Sequence, residues 1–225
     1  MKEKYDVPIA SESEFVEYML SQMAAFGLPC TQQQAKDFYV YYARMIETNK
    51  YLNLTGITDM KEVVVKHMID SLSCYDPSII KSGSSIIDVG TGAGFPGIPL
   101  AILFPECQFV LEDSIGKKIR VATAVAEAIG LKNVEAVHRN VIEEKRKFDF
   151  VVSRAVMNTA DLAKLVEKNV SKTQRNPLKN GLICLKGGDL TEELKPFGNK
   201  VKIWNLSDFF ADEFFETKKV TYLPF

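Results

Sequence analysis

The feature that most constrains this chain is the glycine-rich segment at residues 88–99, DVGTGAGFPGIP, which directly follows the apolar pair Ile86 and Ile87. It predicts a strand, a turn of closely spaced glycines and the first turn of a helix, where prolines are tolerated because no backbone donor is lost. Glycines let the backbone turn tightly and approach a ligand, and a helix N-terminus offers free N–H groups. The segment therefore predicts a βα unit that binds a ligand at the start of its helix.

The rest of the C-terminal part alternates apolar strands with helical segments, which is the pattern of βαβ units in a parallel sheet. Strands are predicted at Ser85–Val89, Gln108–Glu112, Val134–His138, Phe148–Ser153, Gly181–Lys186, Lys200–Leu206 and Phe214–Tyr222. Helices are predicted at Ile98–Phe104, Gly116–Ile129, Asn158–Asn169 and Leu190–Lys195. Only Ser207–Glu213 separates the last two strands, which is too short for a helical crossover, so they should form an antiparallel hairpin.

The N-terminal part has helical periodicity instead. Amphipathic helices are predicted over Ser11–Leu28, from Thr31 to Ile46, and over Glu62–Tyr75, with a turn-rich stretch at Asn49–Asp59. We therefore expect a helical segment at residues 1–80 on the substrate side of the molecule and an α/β domain at residues 81–225. The fold class predicted is α/β, with a mostly parallel, Rossmann-like seven-stranded sheet that ends in an antiparallel hairpin, as in class I methyltransferases.

The glycine segment fits two ligand-binding patterns at once. Gly92, Gly94 and Gly97 have the spacing of a dinucleotide fingerprint, whereas Asp88 with Gly90, Gly92 and Gly94 matches the loop of S-adenosylmethionine-dependent methyltransferases. Asp113, at the end of the next strand, suits a ribose diol in either case. Asp88 favours the methyltransferase, because its carboxylate suits the amino group of a methionine moiety and would repel the pyrophosphate of NAD.

Several segments together resemble the RsmG (GidB) family over most of the chain. They are NLTGITD at 53–59, His67 with DSL at 70–72, DVGTGAGFPGIPL at 88–100, DS with GKK at 113–118, SRAV at 153–156 and LKG at 185–187. The resemblance implies an enzyme that transfers a methyl group from S-adenosyl-L-methionine to N7 of a guanine in 16S ribosomal RNA. It also implies that the small ribosomal subunit or its RNA is the partner.

The resemblance implies the site residues as well. The cofactor contacts would be Asp88, Gly90, Gly92, Gly94, Phe95, Asp113, Val141, Ile142 and Arg154, and the catalytic residues would be Arg154, Lys186 and Arg139. After the third strand the family has Arg-Ala-Glu or Arg-Val-Glu, whereas this chain has RNVIE at 139–143. Either Arg139 replaces the family arginine from one position earlier, or that contact is absent.

The expected chemistry needs few catalytic groups. N7 of guanine has an in-plane lone pair and no proton, so its methylation requires no general base, and catalysis should come from holding N7 in line with the methyl group. Arg154 and Lys186 follow strands at the rim where ligands bind in open α/β sheets, and either cation could bind guanine O6 or a phosphate. Either could equally be a surface cation, and Phe95 could be core packing.

His67 and Asp70 lie one helical turn apart and could pair, at the junction between the helical segment and the α/β domain. A histidine with purely local partners would also explain this pattern. Asn53, Thr55 and Asp59 could hold the intervening linker against the glycine loop, although turn chemistry alone would also account for them.

Composition limits the alternatives. The net charge of −1 counts mildly against an RNA-binding surface and leaves open a methyltransferase for a small molecule or a protein, a non-catalytic RNA-binding factor and an NAD-dependent enzyme. The 4 cysteines are scattered without ligand spacing, so no metal site is expected. With neither a signal sequence nor a transmembrane-length apolar run, we expect a cytoplasmic protein without membrane contact. We also expect a monomer.

Overall fold

A computed structural model describes residues 7–225, so the first six residues of the predicted helical segment lie outside the described part. The chain forms a seven-stranded sheet with the order β3-β2-β1-β4-β5-β7-β6. The strands are β1 Ser85–Val89, β2 Gln108–Asp113, β3 Val134–His138, β4 Phe150–Arg154, β5 Gly181–Gly187, β6 Lys202–Asn205 and β7 Lys218–Pro224. Strands β1 to β5 pair in parallel, and β7 pairs antiparallel with both β5 and β6. The predicted fold class and the C-terminal hairpin are confirmed.

Helices cover both faces of this sheet. They are α1 Glu12–Ala25, α2 Gln32–Asn49, α3 Met60–Val63, α4 Asp70–Leu72, α5 Gly97–Leu103, α6 Gly116–Ile129, α7 Thr159–Val166 and α8 Thr191–Leu194, with a π-helical stretch at Val64–Ile69 joining α3 to α4. Side-chain caps fix the starts of the first two: Ser11 accepts from the backbone N–H of Glu14, and Thr31 forms a reciprocal capping box with Gln34. Within residues 7–225, no helix is long and apolar enough to cross a membrane.

The N-terminal helices share one core with the sheet. Successive side chains of a strand point to opposite faces, so Ile86 of β1 joins a cluster with Phe15 and Phe38 of the N-terminal helices, whereas Ile87 joins a second cluster with Leu162 of α7. Strands β1, β2, β4 and β5 are therefore largely buried on both faces, which explains their apolar runs, whereas the edge strand β3 is only half-buried.

The element ends differ from the sequence prediction where local polar groups decide them. The last strand begins at Lys218 rather than at Phe214, because the Asp212 side chain accepts from the N–H of Phe214 and starts a 3₁₀ turn at Glu213–Phe215. The helix expected over Glu62–Tyr75 is interrupted by the π-helical stretch, which apolar periodicity does not reveal.

Replacing Phe38 with Ala tests whether helices and sheet unfold together. Phe38 is fully buried in the shared cluster, and removing a buried aromatic ring typically costs about 3–5 kcal/mol. Urea unfolding followed by far-ultraviolet circular dichroism and by fluorescence of Trp204 on β6 should shift to the same lower midpoint. Tyr51→Ala is the control, because Tyr51 is 83% exposed. A shift in the dichroism alone would contradict a shared core.

Candidate active site

Asp88, the fourth residue of β1, holds the two ends of the following glycine loop together through hydrogen bonds of its side chain. This side chain is fully buried, and its Oδ2 accepts hydrogen bonds from the Thr91 hydroxyl at 2.6 Å and from the Gly97 N–H at 2.8 Å. A Cβ at Gly97 would lie 2.2 Å from a Leu111 methyl carbon, so only glycine fits here. The predicted contact of Asp88 with a methionine amino group stays a prediction, and the structure adds an internal role that joins the two ends of the loop.

The buried environment changes the protonation of this carboxyl group. Burial raises the pKa of Asp88 to about 7, although the hydrogen bonds from Thr91 and Gly97 act to lower it. Its second oxygen, Oδ1, is buried without a hydrogen-bond partner among the described residues. The charge state of the loop is therefore sensitive to pH and to any cation that reaches this oxygen.

A second carboxylate connects the loop to β2. Asp113 accepts from the Gly92 N–H through Oδ2 at 3.0 Å and from the Ile115 N–H through Oδ1 at 2.8 Å. The backbone oxygen of Glu112 accepts from the N–H groups of Gly90 and Thr91. The loop thus has a fixed position over the C-terminal ends of β1 and β2, the edge where open α/β sheets bind ligands.

A cavity of about 570 Å³ opens beside this loop. Most of the residues that line it lie at or just after the C-terminal ends of β1, β2, β3 and β4, and two come from α6 and α7. They are Val89, Gly90, Glu112, Asp113, Ser114, Ile115, Lys118, Arg139, Asn140, Val141, Ile142, Arg154, Ala155, Val156, Met157 and Leu165. Its volume lies in the range of roughly 300–1,000 Å³ that ligand pockets occupy. An apolar cavity of about 380 Å³ lies elsewhere, beneath Phe26 and Trp204, and contains none of the predicted site residues.

The cavity brings together only part of the predicted site. The predicted residues that line it are Gly90, Arg139, Asp113, Val141, Ile142 and Arg154; those that do not are Asp88, Gly92, Gly94, Phe95 and Lys186. Among residues 7–225, no group of three or more His, Cys, Asp or Glu side chains is arranged to hold a metal ion.

Arg154 lies at the end of β4, between the glycine loop and the helical segment. Its guanidinium carbon lies 4.7 Å from the centroid of the Phe95 ring, and its Nη1 lies 3.3 Å from Asp70 Oδ2. Phe95 is in turn stacked on Tyr41 of α2 at 4.7 Å, and the Tyr41 hydroxyl donates to the Ala93 carbonyl. A cation–π contact and an ion pair therefore hold this cation in one orientation beside the cavity.

The predicted pairing of His67 with Asp70 is wrong, because each has another partner. His67 Nε2 lies 2.8 Å from the Thr55 hydroxyl, whereas Asp70 pairs with Arg154. His67 lies in the π-helical stretch, whose i→i+5 bonding widens the turn, so residues three apart do not stack as in an α-helix. Burial, and then the charge of Arg154, lower the pKa of His67 to about 4, so the imidazole is neutral at pH 7.

The other two predicted cations are bound to carboxylates. Lys186 has a side chain that is 9% exposed, with Nζ 2.8 Å from Glu193, and it also donates to the Met157 carbonyl. Arg139 pairs with the buried Glu144 at 2.7 Å, although it also lines the cavity. Contact of either side chain with a substrate stays a prediction.

The sequence prediction missed two features of this site. One is Glu112, a buried carboxyl group that lines the cavity one residue before Asp113. The other is a set of exposed apolar side chains among the lining residues, Ile115 at 41%, Val156 at 37% and Met157 at 38%, which lie in the same cavity as the predicted Ile142 at 60%. The position of Glu112 within an otherwise apolar strand could have indicated it from the sequence. The exposed apolar side chains come from separate segments, so the sequence could not show that they lie together.

The pH dependence of stability tests the buried state of Asp88. In the folded chain its pKa is about 7 against 3.8 for the free group, so its contribution to stability is greatest at low pH and is lost as the pH rises from about 4 to 7. Asp88→Asn has no such proton. The variant should therefore gain stability relative to wild type between pH 4.5 and 8, by more than about 1 kcal/mol, since one pKa unit is worth about 1.4 kcal/mol.

Urea unfolding of both proteins at the two pH values measures this difference. Thr91→Val is a matched variant that removes a hydrogen bond to Asp88 and keeps the carboxyl group. A stability difference between wild type and Asp88→Asn that does not change with pH would contradict the assignment.

Comparison with known proteins gives one family. Residues 34–219 match the family model GidB, described as rRNA small subunit methyltransferase G. The chain is 52% identical over 193 residues to the ribosomal RNA small subunit methyltransferase G of Bacteroides fragilis, covering 86% of this chain and 94% of the relative. It is 49% identical over 222 residues to the Parabacteroides distasonis protein of the same name, covering 99% of this chain and 93% of the relative.

Solved structures give the same fold at much lower identity. Aeropyrum pernix fibrillarin, in complex with natively bound S-adenosyl-L-methionine, superimposes with a TM-score of 0.50 at 12% sequence identity. The match covers 71% of this chain and 73% of the fibrillarin chain. At this identity the likeness establishes the architecture alone.

Proposed function

This chain belongs to the GidB family, the rRNA small subunit methyltransferase G proteins, and we propose that it transfers the methyl group of S-adenosyl-L-methionine to N7 of a guanine in 16S ribosomal RNA. The observation that carries the proposal is the fixed glycine loop beside a cavity that the family's residue positions line, including Gly90, Asp113 and Arg154. Bound S-adenosylmethionine supplies a methyl group activated on its sulfonium.

The residues of the cavity fit this cofactor in chemistry. Asp113 keeps acceptor capacity for a ribose diol, because each of its oxygens receives only one backbone hydrogen bond. The exposed apolar side chains Ile115, Ile142, Val156 and Met157 would be covered by the face of a flat aromatic ring such as adenine. Asp88 Oδ1, buried and without a partner, would accept from an ammonium group if the loop moved to admit one.

The role of the protein side chains in this reaction is to hold the guanine in position, and no side chain has to remove a proton from it. N7 carries no proton, so the neutral His67 and the ion-paired Asp70 are not required as bases. We assign to Arg154 a hydrogen bond to guanine O6 or to a neighbouring phosphate, because its guanidinium is already oriented by Asp70 and Phe95. A preoriented donor loses little conformational freedom on binding, which favours the in-line arrangement.

We place the RNA on the side of Arg154 that faces the helical segment at residues 1–80. Lys218 on β7 is close enough for its charge to lower the pKa of Asp70, as Arg154 does, although burial raises that pKa overall. Two cations from separate strands thus lie around one acidic side chain, and this local positive charge supports phosphate binding despite the net charge of −1. We also propose that the chain acts as a monomer and without a metal, in the cytoplasm where ribosomal RNA is found.

Methyl transfer to ribosomal particles tests the function. Small subunits and free 16S RNA from cells that lack this modification are incubated with the protein and methyl-labelled S-adenosylmethionine. Label should enter one guanine, and borohydride reduction followed by aniline should break the RNA at that base, because this treatment cleaves at N7-methylguanine. Label in another base or position, or no label in either form of RNA, would contradict the proposal.

Arg154→Ala should lower the rate of transfer by about 10²-fold, as loss of a preoriented donor in an active site does. The melting temperature should fall less than for Phe38→Ala, because Arg154 is partly exposed. Arg175→Ala, at an exposed loop position, is the control and should keep full activity. An Arg154→Ala protein as unstable as the core variant would assign this residue a structural role instead.

A further inference from the structure

The segment that directly follows Arg154 has a strained backbone. Ala155 has a φ of 51°, and within the described part of the chain it is the one residue other than glycine with a positive φ. Side chains rarely adopt this conformation, which persists where the surrounding structure holds it. A Cβ added at Gly90 would lie 2.5 Å from a Val156 methyl carbon, so the segment also lies directly on the glycine loop. Residues 155–158, called the Arg154 loop below, therefore need support from outside.

An ion pair from two other elements gives this support. Lys186, at the end of β5, has its Nζ 2.8 Å from Oε1 of Glu193 on α8, and its side chain is only 9% exposed. The Lys186 ammonium also donates to the carbonyl of Met157 in the Arg154 loop. The same Oε1 of Glu193 accepts from the N–H of Thr159 at 2.8 Å and from its hydroxyl. The loop is therefore held both at its third residue and at Thr159, where α7 begins.

The charges of this pair are directed at the protein itself. Burial acts to raise the pKa of Glu193, but the hydrogen bonds from Lys186 and Thr159 outweigh it and the pKa is lowered, so the carboxylate is ionised at pH 7. An ammonium group has three donors, and Lys186 uses two of them on Glu193 and on the Met157 carbonyl. A cation in this position is suited to holding a loop.

We propose that Lys186 and Glu193 are positioning residues for the methyl transfer, because their ion pair holds the Arg154 loop in the conformation that keeps Arg154 beside the cavity. The proposal rests on the proposed function, since it takes the reaction at this cavity to be methyl transfer to RNA. Lys186 then acts through the Met157 carbonyl, in place of the direct substrate contact that the family resemblance implied. The ion pair with Asp70 holds the guanidinium of Arg154 from the side of the helical segment.

Hydrogen exchange followed by mass spectrometry tests this support in the protein without substrate. In Lys186→Met and in Glu193→Ala, the amides of residues 155–159 should exchange at least about tenfold faster than in wild type, because the loop then opens more often. Glu192→Ala is the matched control, since the neighbouring Glu192 forms only an exposed pair with Lys195. Exchange that stays as slow as in wild type in both test variants would overturn the proposal.

Single-turnover methyl transfer to unmodified small subunits or free 16S RNA, whichever wild type labels, gives the second readout. Lys186→Met and Glu193→Ala should each lower the rate by roughly tenfold or more, because a displacement of about 1 Å in a site can cost about 10²-fold. The double variant should be no slower than the slower single variant, since both residues act through one loop.

The salt dependence of RNA binding separates positioning from direct contact. In Lys186→Met the slope of log affinity against log salt should equal that of wild type, whereas loss of a phosphate contact would reduce it by about 1. A reduced slope, or a slower rate in Lys186→Met together with a wild-type rate in Glu193→Ala, would assign Lys186 a direct contact with RNA and overturn the proposal.

The double variant keeps the test decisive where a single variant does not fold. Removing one partner of a buried ion pair leaves an uncompensated charge, whereas removing both does not. Wild type that transfers no label would overturn the proposed function and this inference with it. Wild type that transfers label, with a double variant that keeps wild-type exchange and rate, would overturn the inference alone.

Discussion

The pair of hydrogen bonds that Asp88 Oδ2 accepts, from the Thr91 hydroxyl and from the Gly97 N–H, is the constraint on which the site depends. They join the end of β1 to the first residue of α5, so the intervening glycines have one path. The outer side of that path forms one wall of the cavity, and its inner side packs against the helical segment through Phe95 and Tyr41. Asp88 thus fixes the loop that forms part of the cavity wall on one side and packs against the N-terminal helices on the other.

Under the proposed function, one edge of the sheet would hold both the cofactor and the RNA. The cofactor cavity extends from Gly90 toward β3, whereas Arg154 stands between that cavity and the helices. Asp70 and Phe95, which orient Arg154, come from the helical segment and from the glycine loop, so both sides of the site determine its position. A reaction without a general base needs this kind of positional control more than it needs titrating groups.

Periodicity and turn chemistry predicted the sheet, its C-terminal hairpin and the glycine loop, because each depends on residues close together in sequence. The family resemblance supplied the candidate site residues, and six of them line one cavity: Gly90, Asp113, Arg139, Val141, Ile142 and Arg154. The partners of charged side chains were not predictable: Arg139 and Arg146 meet on Glu144, and Lys186 meets Glu193, only once strands and turns have been assembled. The partners of His67 depend on a π-helical stretch that has no sequence signature.

The loop that Asp88 joins at both ends should hold S-adenosylmethionine rather than a dinucleotide. Calorimetric titration of the purified protein with S-adenosylhomocysteine and, in parallel, with NAD tests it most directly. S-adenosylhomocysteine should bind saturably at one site per chain, and NAD should give no heat of binding. Binding of NAD, or binding of neither compound, would contradict it.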